Sequence, residues 1–596
     1  MKKHLLLPLL TVLLLLNCSL TAQPDRQLFE DIDAFVEQAR QDWQVPGVAV
    51  GIVRGNEIVH LNGYGLADTE AQRSVDENTL FAIGSSTKAI TAFSVLQLVD
   101  DGQLDLDQPV LDYLPDFRMH DDYVTHHLSV RDLLCHRSGL PRHDAVWYGS
   151  TDSRAELFEK LNYLEPSAGF RETFQYQNLM FMAAGYLVGQ TTGARWEEAV
   201  QKRIFEPLEM KRANFSVEQM AKDPNHAKPY TLEEEESKVM DFRNIDAVGP
   251  AGSVNASARE MCHWLIAQIN GGQYQEKEVL SPDLLTVSHS AHMPVPAAWD
   301  RIMAADNGGG PTTYGLGWFI STHKGRKAIQ HGGNIDGFSA MVGLLPQDSI
   351  GVVVLTNLNG NMLPSIIRNY VFDKMLGEEA RDWNQELLAM FAKMKEQQQG
   401  QAEEEDLKQV QGTQLSHELD DYAGTYNHPA YGSVKISRTG DTLQLSYHAF
   451  EFSLRHYHYD VFAGEGPVFG QVKIAFHTNI DGDIDRLSSR MEPALDDAIY
   501  FERQPAPKSF SAEELQAFTG EYLVMGVQRL TVSQQDDQLQ LSVPGQPTYT
   551  LVHHKGLEFK LKGLEGYKAL FEQNDAGDIQ AIVMLQPNGQ FRGERQ

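Results

Sequence analysis

The C-terminal third of this 596-residue chain repeats itself at a constant offset, which limits the folds that the region can adopt. The segment LDDYAGTY at 419–426 returns as LQAFTGEY at 515–522, and DTLQLS at 441–446 returns as DQLQLS at 537–542. Both copies alternate apolar and polar residues, as half-buried β-strands do. The sequence therefore predicts two small all-β barrel-like modules, at 418–505 and 506–596.

The first 22 residues have the pattern of a secretory signal. Lys2 and Lys3 precede an apolar run that ends at Leu16, and small and polar residues follow as far as Ala22. We therefore predict a signal peptide at 1–22 and an exported mature chain, either periplasmic or secreted. The alternative is a lipid anchor at Cys18, since the preceding residues resemble a bacterial lipoprotein cleavage box, although Asn17 stands where a small residue is expected.

The charge of the chain excludes several classes of partner. It has 50 basic and 81 acidic residues, a net charge of −31, which argues against nucleic acid and against anionic lipid surfaces. No second long apolar run follows the signal, so we expect no transmembrane span in the mature chain. Cys135 and Cys262 are too few for a disulfide framework, and no Cys/His spacing matches a zinc site.

The region between the signal and the repeats alternates between strand and helix patterns. Residues 45–61 read as a β-hairpin that turns at Arg54–Asn56, a helix begins near Ser85, and 340–355 form a second hairpin. These features predict an α+β domain at 23–385, an antiparallel sheet flanked by helices. A polar linker at 386–417, helical at its start, would join it to the repeats.

The first strong helix begins with the sequence Gly84-Ser85-Ser86-Thr87-Lys88. Ser85 and Lys88 are three residues apart and so share one face of the helix. A serine at a helix N-terminus lies beside free backbone N–H groups and the positive end of the helix dipole, which suits an attacking hydroxyl. Taken alone the pair is a weak signal, because serine is a common helix cap and lysine a common surface residue.

Two later motifs strengthen that signal. Tyr176-Gln177-Asn178 and His331-Gly332-Gly333-Asn334 follow in order at wide spacing. The succession S-x-x-K, Y-x-N, H-x-G resembles the serine β-lactamase and penicillin-binding-protein superfamily, most closely its class C and D-aminopeptidase/esterase branch. Segments 128–140, 204–210 and 250–253 resemble further landmarks of that branch, and the likeness spans about Phe29 to Leu376. The two repeats resemble lipocalin-like modules that are sometimes appended to such enzymes.

The resemblance implies a role for each motif residue. Ser85 would be the acylated nucleophile, and Lys88 with Tyr176 would transfer the proton. A tyrosine hydroxyl has a pKa near 10, so it acts as a base at neutral pH only if cations such as Lys88 lower that pKa. Asn178 would orient Lys88 and the substrate amide. His136, in the landmark segment, is interpreted as structural and outside the site.

The third motif would contribute the oxyanion hole. The backbone N–H groups of Ser85 and Asn334 would form it, while Gly332 and Gly333 would keep the edge strand free of side chains so that substrate can lie against it. His331 departs from the family, which usually has lysine there. A largely neutral histidine can donate a hydrogen bond toward Tyr176 but attracts a substrate carboxylate less. We therefore expect weak turnover of penicillins.

These observations favour an exported serine hydrolase that acts through an acyl-enzyme, with no metal or organic cofactor. The substrate would be an ester, a D-residue peptide or amide, or a lactam, in that order. A catalytically idle cell-wall peptide-binding or scaffold protein on the same fold is the alternative. The C-terminal modules would shape access to the cleft or mediate oligomerisation.

Overall fold

The computed structural model describes residues 26–233, 236–296, 311–406, 408–466, 470–480, 482–504, 510–564, 567–574, 576–586 and 589–596. The predicted signal peptide at 1–22 and Cys18 lie outside these residues. No helix in the described part of the chain is long and apolar enough to cross a membrane. Cys135 and Cys262 are both buried free thiols.

Nine of the described strands form one antiparallel sheet in the order β4-β5-β6-β7-β8-β9-β1-β2-β3. Their bounds are β1 Gly47–Arg54, β2 Glu57–Asp68, β3 Arg73–Ser74, β4 Met293–Pro294, β5 Thr313–Tyr314, β6 Phe319–His323, β7 Arg326–Ile335, β8 Phe338–Leu345 and β9 Ile350–Thr356. The two predicted hairpins are confirmed as β1–β2 and β8–β9. Two-residue strands also pair Phe81–Ala82 with Asn255–Ala256 and Gln273–Tyr274 with Lys277–Glu278, and Tyr230–Glu233 pairs with Glu236–Val239.

Helices cover both faces of this sheet, because inner strands such as β1 are apolar on both sides. Val48, Val50 and Ile52 pack toward one hydrophobic core and the intervening Ala49 and Val53 toward another, as the two-residue period of a strand requires. The described helices are 26–42, Thr87–Asp100, Asp122–His127, Val130–Leu133, Arg154–Lys160, Leu179–Thr192, Trp196–Val200, Val217–Met220, Ala258–Ile269, Pro282–Ser288, Leu363–Met375, Trp383–Asp406, Leu419–Tyr422 and Ala512–Phe518.

The segment predicted as a polar linker is more regular than expected. A helix, Trp383–Asp406, occupies most of the stretch between the sheet and the repeats. Its first turn is anchored: Trp383 is buried and donates from Nε1 to Asp373, and Asn384 bonds Trp43. The polar second half of the segment is therefore part of the same helix, which continues from this anchored first turn.

Each repeat closes into an eight-stranded antiparallel barrel within the described residues, as the sequence predicted. The strands of barrel 1 are Gly424–His428, Gly432–Thr439, Thr442–Tyr447, Phe450–His458, Val461–Gly466, Gly470–Thr478, Ile484–Ser489 and Ile499–Arg503. Those of barrel 2 are Gly520–Val524, Gln528–Gln535, Gln538–Ser542, Tyr549–Lys555, Glu558–Leu561, Lys568–Gln573, Ile579–Gln586 and Gly589–Arg595.

The repeated sequence forms the same tyrosine hydrogen bond, called the tyrosine anchor below, in both barrels. The Tyr426 hydroxyl donates to the carbonyl of Tyr422 at 2.9 Å, and Tyr522 donates in the same way to Phe518 at 2.7 Å. All four rings are buried. A buried tyrosine needs a partner for its hydroxyl, and the short helix before the first strand of each barrel supplies it. The motif L-x-x-[YF]-x-G-x-Y is thus a structural signature.

Candidate active site

Ser85 lies on a tight 3₁₀ turn, Gly84–Ser86, immediately before the buried helix Thr87–Asp100. Strand β7 runs directly against this turn. A Cβ atom added to Gly333 would lie 1.9 Å from the carbonyl oxygen of Ile83, and one added to Gly84 would lie 2.8 Å from the backbone nitrogen of Asn334. Gly333 is therefore required by the approach of the serine turn itself. The sequence predicts that Gly332 and Gly333 leave room for substrate, whereas at Gly333 the room is taken by the backbone of the serine turn.

Lys88 is completely buried, and its amine contacts three oxygen atoms. Its Nζ lies 3.0 Å from Oγ of Ser85, 2.7 Å from Oδ1 of Asn178 and 2.8 Å from the carbonyl oxygen of Ala251. Burial lowers the pKa of the Lys88 ammonium well below its usual value, and the positive charge of Arg142 lowers it further. The structure thus brings three of the predicted residues together around one amine.

Tyr176 is the next member of this cluster. It lies in the irregular segment immediately before the helix Leu179–Thr192. Its hydroxyl is hydrogen-bonded to the Ser85 side chain, and its ring centroid lies 4.9 Å from Nζ of Lys88. Burial raises the pKa of the Tyr176 phenol, and this outweighs the lowering by the Ser85 hydrogen bond and by Arg142. The sequence predicts that Lys88 lowers the pKa of Tyr176, but in the structure this pKa is raised. Tyr176 is therefore a neutral phenol in the resting site.

His331 is buried beneath the site and faces a different tyrosine from the one predicted. Its Nε2 lies 3.0 Å from the hydroxyl of Tyr314, and its Nδ1 lies 2.6 Å from the carbonyl oxygen of Gly332. The carbonyl requires a proton on Nδ1, so Nε2 accepts from Tyr314. Burial lowers the pKa of His331 to about 3. The histidine is neutral, as the sequence predicted, but it does not donate to Tyr176.

Asn334 extends beyond His331 on the same strand, and its side chain is exposed. Its Oδ1 accepts a hydrogen bond from Ser339 at 2.5 Å, which fixes the end of β7. The backbone of Asn334 contacts the serine turn, as described above. This contact places the two predicted oxyanion residues, Ser85 and Asn334, next to each other.

Two residues that the sequence analysis missed surround this cluster. Asp144 accepts from Nδ2 of Asn178 at 3.0 Å, and it pairs with Arg142 at 2.7 Å. The Arg142 guanidinium lies 5.3 Å from the ring centroid of Tyr176, with 47% of its side chain exposed. Both residues follow the family-like segment 128–140 by a few positions, and no motif within the chain marks them.

His136 also lies closer to the site than predicted. It is fully buried, and its ring centroid is 4.3 Å from that of Tyr176. Its Nδ1 accepts the backbone N–H of Gln177 at 3.3 Å, so the imidazole supports the irregular segment that presents Tyr176 and Asn178. Burial lowers the pKa of His136 well below its ordinary value. His136 is thus part of the wall of the site, and it does not contact Ser85.

Barrel 1 holds the segment that carries Arg142 and Asp144. Between them, His143 has a left-handed backbone (φ 49°), and its N–H donates to Glu492 at 2.6 Å. Its Nδ1 lies 2.6 Å from the Tyr431 hydroxyl. Tyr431 and Glu492 belong to barrel 1, so the barrel fixes the strained turn on which both charged residues stand.

The same contact continues along the segment. The Tyr447 hydroxyl of barrel 1 donates to the carbonyl oxygen of Ala145 at 2.8 Å, and Phe450 stacks on Tyr148 with centroids 6.0 Å apart. A Cβ on Gly149 would lie 2.6 Å from the Phe450 ring. One continuous hydrophobic core therefore runs from the sheet domain into barrel 1.

Within the described residues, no three His, Cys, Asp or Glu side chains come together as a metal site. The polar groups of the site are instead a hydroxyl on a tight turn, a buried amine, a neutral phenol and the adjacent end of strand β7. The sequence predicted an edge strand here, but β7 is an inner strand of the sheet that pairs with β6 and β8. Together with the sheet covered on both faces by helices, this arrangement defines a β-lactamase and transpeptidase type of fold with a Ser–Lys–Tyr cluster.

Comparison with known proteins agrees with that class. The beta-lactamase family matches residues 32–372, more than half of the chain, and the chain belongs to this family. Residues 408–503, which include barrel 1, match a domain of unknown function (DUF3471). A relative in Aspergillus campestris, named Unguisins hydrolase ungD', is 29% identical over 430 residues, covering 69% of this chain and 78% of the relative.

Solved structures share the fold. The octameric penicillin-binding protein homologue from Pyrococcus abyssi is 20% identical with a TM-score of 0.52, covering 87% of this chain and 98% of that one. EstCE1, described as a hydrolase with promiscuous acyltransferase activity, is 19% identical with a TM-score of 0.50, covering 59% of this chain and 99% of that one. The chain thus belongs to the beta-lactamase family and has its fold, and its relatives include proteins named as hydrolases.

Proposed function

We propose that this protein is an exported serine hydrolase that forms an acyl-enzyme on Ser85. The observation that carries the proposal is the 3.0 Å contact between Oγ of Ser85 and the buried Nζ of Lys88. A hydroxyl that is accessible on one side and touches a buried amine on the other is an activated nucleophile. The substrates that suit it are an ester, a D-residue peptide or amide, or a lactam, in that order.

Lys88 acts as the base in this proposal. A neutral amine has two N–H groups and one lone pair. Asn178 and Ala251 provide acceptors for the two N–H groups, so the lone pair faces Ser85. Burial stabilises this neutral form because it disfavours the ammonium. Lys88 then takes the hydroxyl proton as Ser85 attacks the carbonyl carbon.

Tyr176 returns the proton to the leaving group. As a neutral phenol it donates a hydrogen bond or a proton and then recovers one from Lys88, whose Nζ lies beside its ring. The backbone N–H groups of Ser85 and Asn334 stabilise the oxyanion. Water then attacks the acyl-enzyme by the same route in reverse, and Ser85 regains its proton.

The neutral state of His331 limits the substrates. A lysine at this position would offer a fixed cation to a substrate carboxylate, whereas the buried imidazole offers none. Arg142 is a cation near the cluster, but Asp144 offsets its charge. We expect His331→Lys to raise the ratio of lactam to ester kcat/KM about tenfold. An unchanged ratio contradicts this account of specificity.

The nucleophile is tested by intact-mass spectrometry after exposure to a fluorophosphonate, followed by peptide mapping. We expect one adduct, on Ser85, which Ser85→Ala abolishes. Ser86→Ala is the matched control, since that neighbouring hydroxyl is buried and bonds the carbonyl oxygen of His331. If no adduct forms while circular dichroism shows an intact fold, the site is idle, and a peptide-binding or scaffold role replaces the proposal.

Export is proposed from the N-terminal sequence. Fractionation of the native host, with mass analysis of the mature N-terminus, tests it. Cleavage after Ala22 is expected. A diacylated cysteine at position 18 would instead establish the lipid anchor, and an uncleaved cytosolic chain would contradict export.

A further inference from the structure

One end of barrel 2 encloses a cavity of about 460 Å³. Its inner wall is apolar, formed by side chains such as Leu530, Leu541 and Met584, which are buried in the barrel. Its rim includes Met525 and Val527, which are 72% and 86% exposed. This volume lies within the range of small-molecule sites, and its depth is lined by hydrocarbon.

The equivalent end of barrel 1 is closed. The repeat offset of 96 residues aligns Tyr431 with Val527 and Tyr447 with Val543, and the strands on both sides keep the same register. Tyr431 is only 2% exposed, because it fills the barrel end and contacts His143 of the sheet domain. Barrel 2 has two valines where barrel 1 has two tyrosines, and this loss of volume opens the cavity.

An apolar cavity that holds nothing lowers stability, because its wall loses contacts and stays dry. Barrel 1 avoids this cost with its own tyrosines and with the segment of the sheet domain that covers them. For barrel 2, we propose that the cavity binds an uncharged amphiphile with a medium-length alkyl or acyl chain. The chain inserts between the inner wall residues, and its neutral head stays at the rim.

The charge of the lining decides the head group. Among the described residues that line the cavity there is no Lys, Arg, Asp or Glu, and the polar groups at the rim include Gln528, Gln546 and Gln586. An amide can hydrogen-bond a hydroxyl or an ester carbonyl, but it does not offset a carboxylate. A fatty alcohol or ester therefore fits this site, and a free fatty acid does not.

The experiment uses the full chain carrying Ser85→Ala, so that esters are not consumed. Titration with the neutral fluorophore N-phenylnaphthylamine should give saturable binding, and dodecanol should displace the probe at about tenfold lower concentration than dodecanoate. The double variant Val527→Tyr/Val543→Tyr rebuilds the closed end of barrel 1 and should weaken probe binding about tenfold or more. Val552→Tyr, on an exposed side chain of the same barrel, should leave binding within about twofold.

A second variant keeps the test decisive if the double variant misfolds. Val527→Lys changes one exposed rim residue and should reverse the preference, so that dodecanoate displaces the probe better than dodecanol. The proposal is overturned if the probe shows no saturable binding, or if it binds equally to the wild-type chain, to Val527→Tyr/Val543→Tyr and to Val527→Lys. A concentration-dependent dimer that Val527→Lys dissociates would also overturn it, by showing that the open end of barrel 2 binds a second copy of the chain.

Discussion

Barrels 1 and 2 have the same fold, yet among the described residues only barrel 1 shares a hydrophobic core with the sheet domain. Both close with eight strands around the same tyrosine anchor. Barrel 1 presents Tyr431 and Tyr447 to the sheet domain and shares its core, whereas barrel 2 has a separate core and an open end at Val527. The residues that build each barrel are therefore the same in kind, whereas the residues at the barrel end, Tyr431 and Val527, differ between the two copies.

The comparison also connects barrel 1 to the chemistry. The turn that barrel 1 holds carries Arg142 and Asp144, which contact Tyr176 and Asn178. Barrel 2 has its own hydrophobic core, separate from the core that the sheet domain shares with barrel 1. Barrel 1 is therefore placed to support the site, and barrel 2 is placed to act independently of it.

The largest effect should come from removing each barrel in turn. A chain that ends at Gln504 lacks only barrel 2 and should keep kcat/KM within about twofold. A chain that ends at Gln401 lacks both barrels, exposes the shared core and frees the 142–149 segment, so it should be insoluble or lose activity about 100-fold or more. Identical kinetics and solubility for the two truncated chains would remove the distinction between the barrels.

Single substitutions at equivalent positions should separate the barrels next. Tyr431→Ala removes a buried ring and should lower the free energy of unfolding by about 3–5 kcal/mol. Val527→Ala, at the matching position of barrel 2, trims an exposed side chain and should cost less than about 0.5 kcal/mol. Denaturant titration of both variants measures the difference, and equal costs would mean that Tyr431 is not an interface anchor.

Acid should destabilise barrel 1 and its contact with the sheet domain through two histidines, His428 of the barrel and His143 of the sheet domain. Burial lowers the pKa of both His143 and His428 to about 4, against about 6.5 in an unfolded chain. The unfolded state therefore binds more protons in this window, and their contribution, complete above pH 6.5, is lost as pH falls toward 4. We expect about 1–3 kcal/mol of loss, measured by hydrogen exchange of barrel 1 peptides at pH 7 and pH 5 after correction for intrinsic rates.

The repeat supplies the control for this pH effect. Val524 of barrel 2 aligns with His428, so His428→Val gives barrel 1 the residue of its copy and should remove part of the acid sensitivity. Barrel 2 peptides in the same samples provide the reference. An acid response that His428→Val leaves unchanged would assign the effect to His143 or to other groups.

The smallest effect concerns a single hydrogen bond. Tyr431→Phe keeps the ring and removes the hydroxyl that lies 2.6 Å from Nδ1 of His143, so it should cost about 1 kcal/mol of stability. Because His143 stands between Arg142 and Asp144, kcat should fall by a few fold with little change in KM. Tyr447→Phe is the matched variant and should leave kcat unchanged, because the Tyr447 hydroxyl contacts the backbone carbonyl oxygens of Ala145 and Tyr431 and so does not reach the imidazole of His143 through these bonds. A parallel loss of kcat in both would indicate general loosening.

Much of this organisation was predictable from local patterns. The alternating strands and the constant repeat offset predicted both barrels, and the two hairpins and the helix after Ser85 predicted the sheet domain. Helical spacing linked Ser85 to Lys88, and the resemblance to the β-lactamase superfamily implied that Tyr176 joins them; the structure brings all three together. Arg142, Asp144 and the partner of His331 were missed, since these contacts join residues far apart in the chain.

The sequence by itself determined which elements form and which side chains can react, because periodicity, capping and residue chemistry act over a few neighbouring positions. Only the tertiary structure decided the protonation behaviour of these side chains and which elements pack around them. Burial lowered the pKa of Lys88 and of His331 and raised that of Tyr176. Within the described part of the chain, only one of the two similar barrels packs against the turn beside these residues. Desolvation and shared cores depend on the whole surroundings of a group, which no spacing within the chain records.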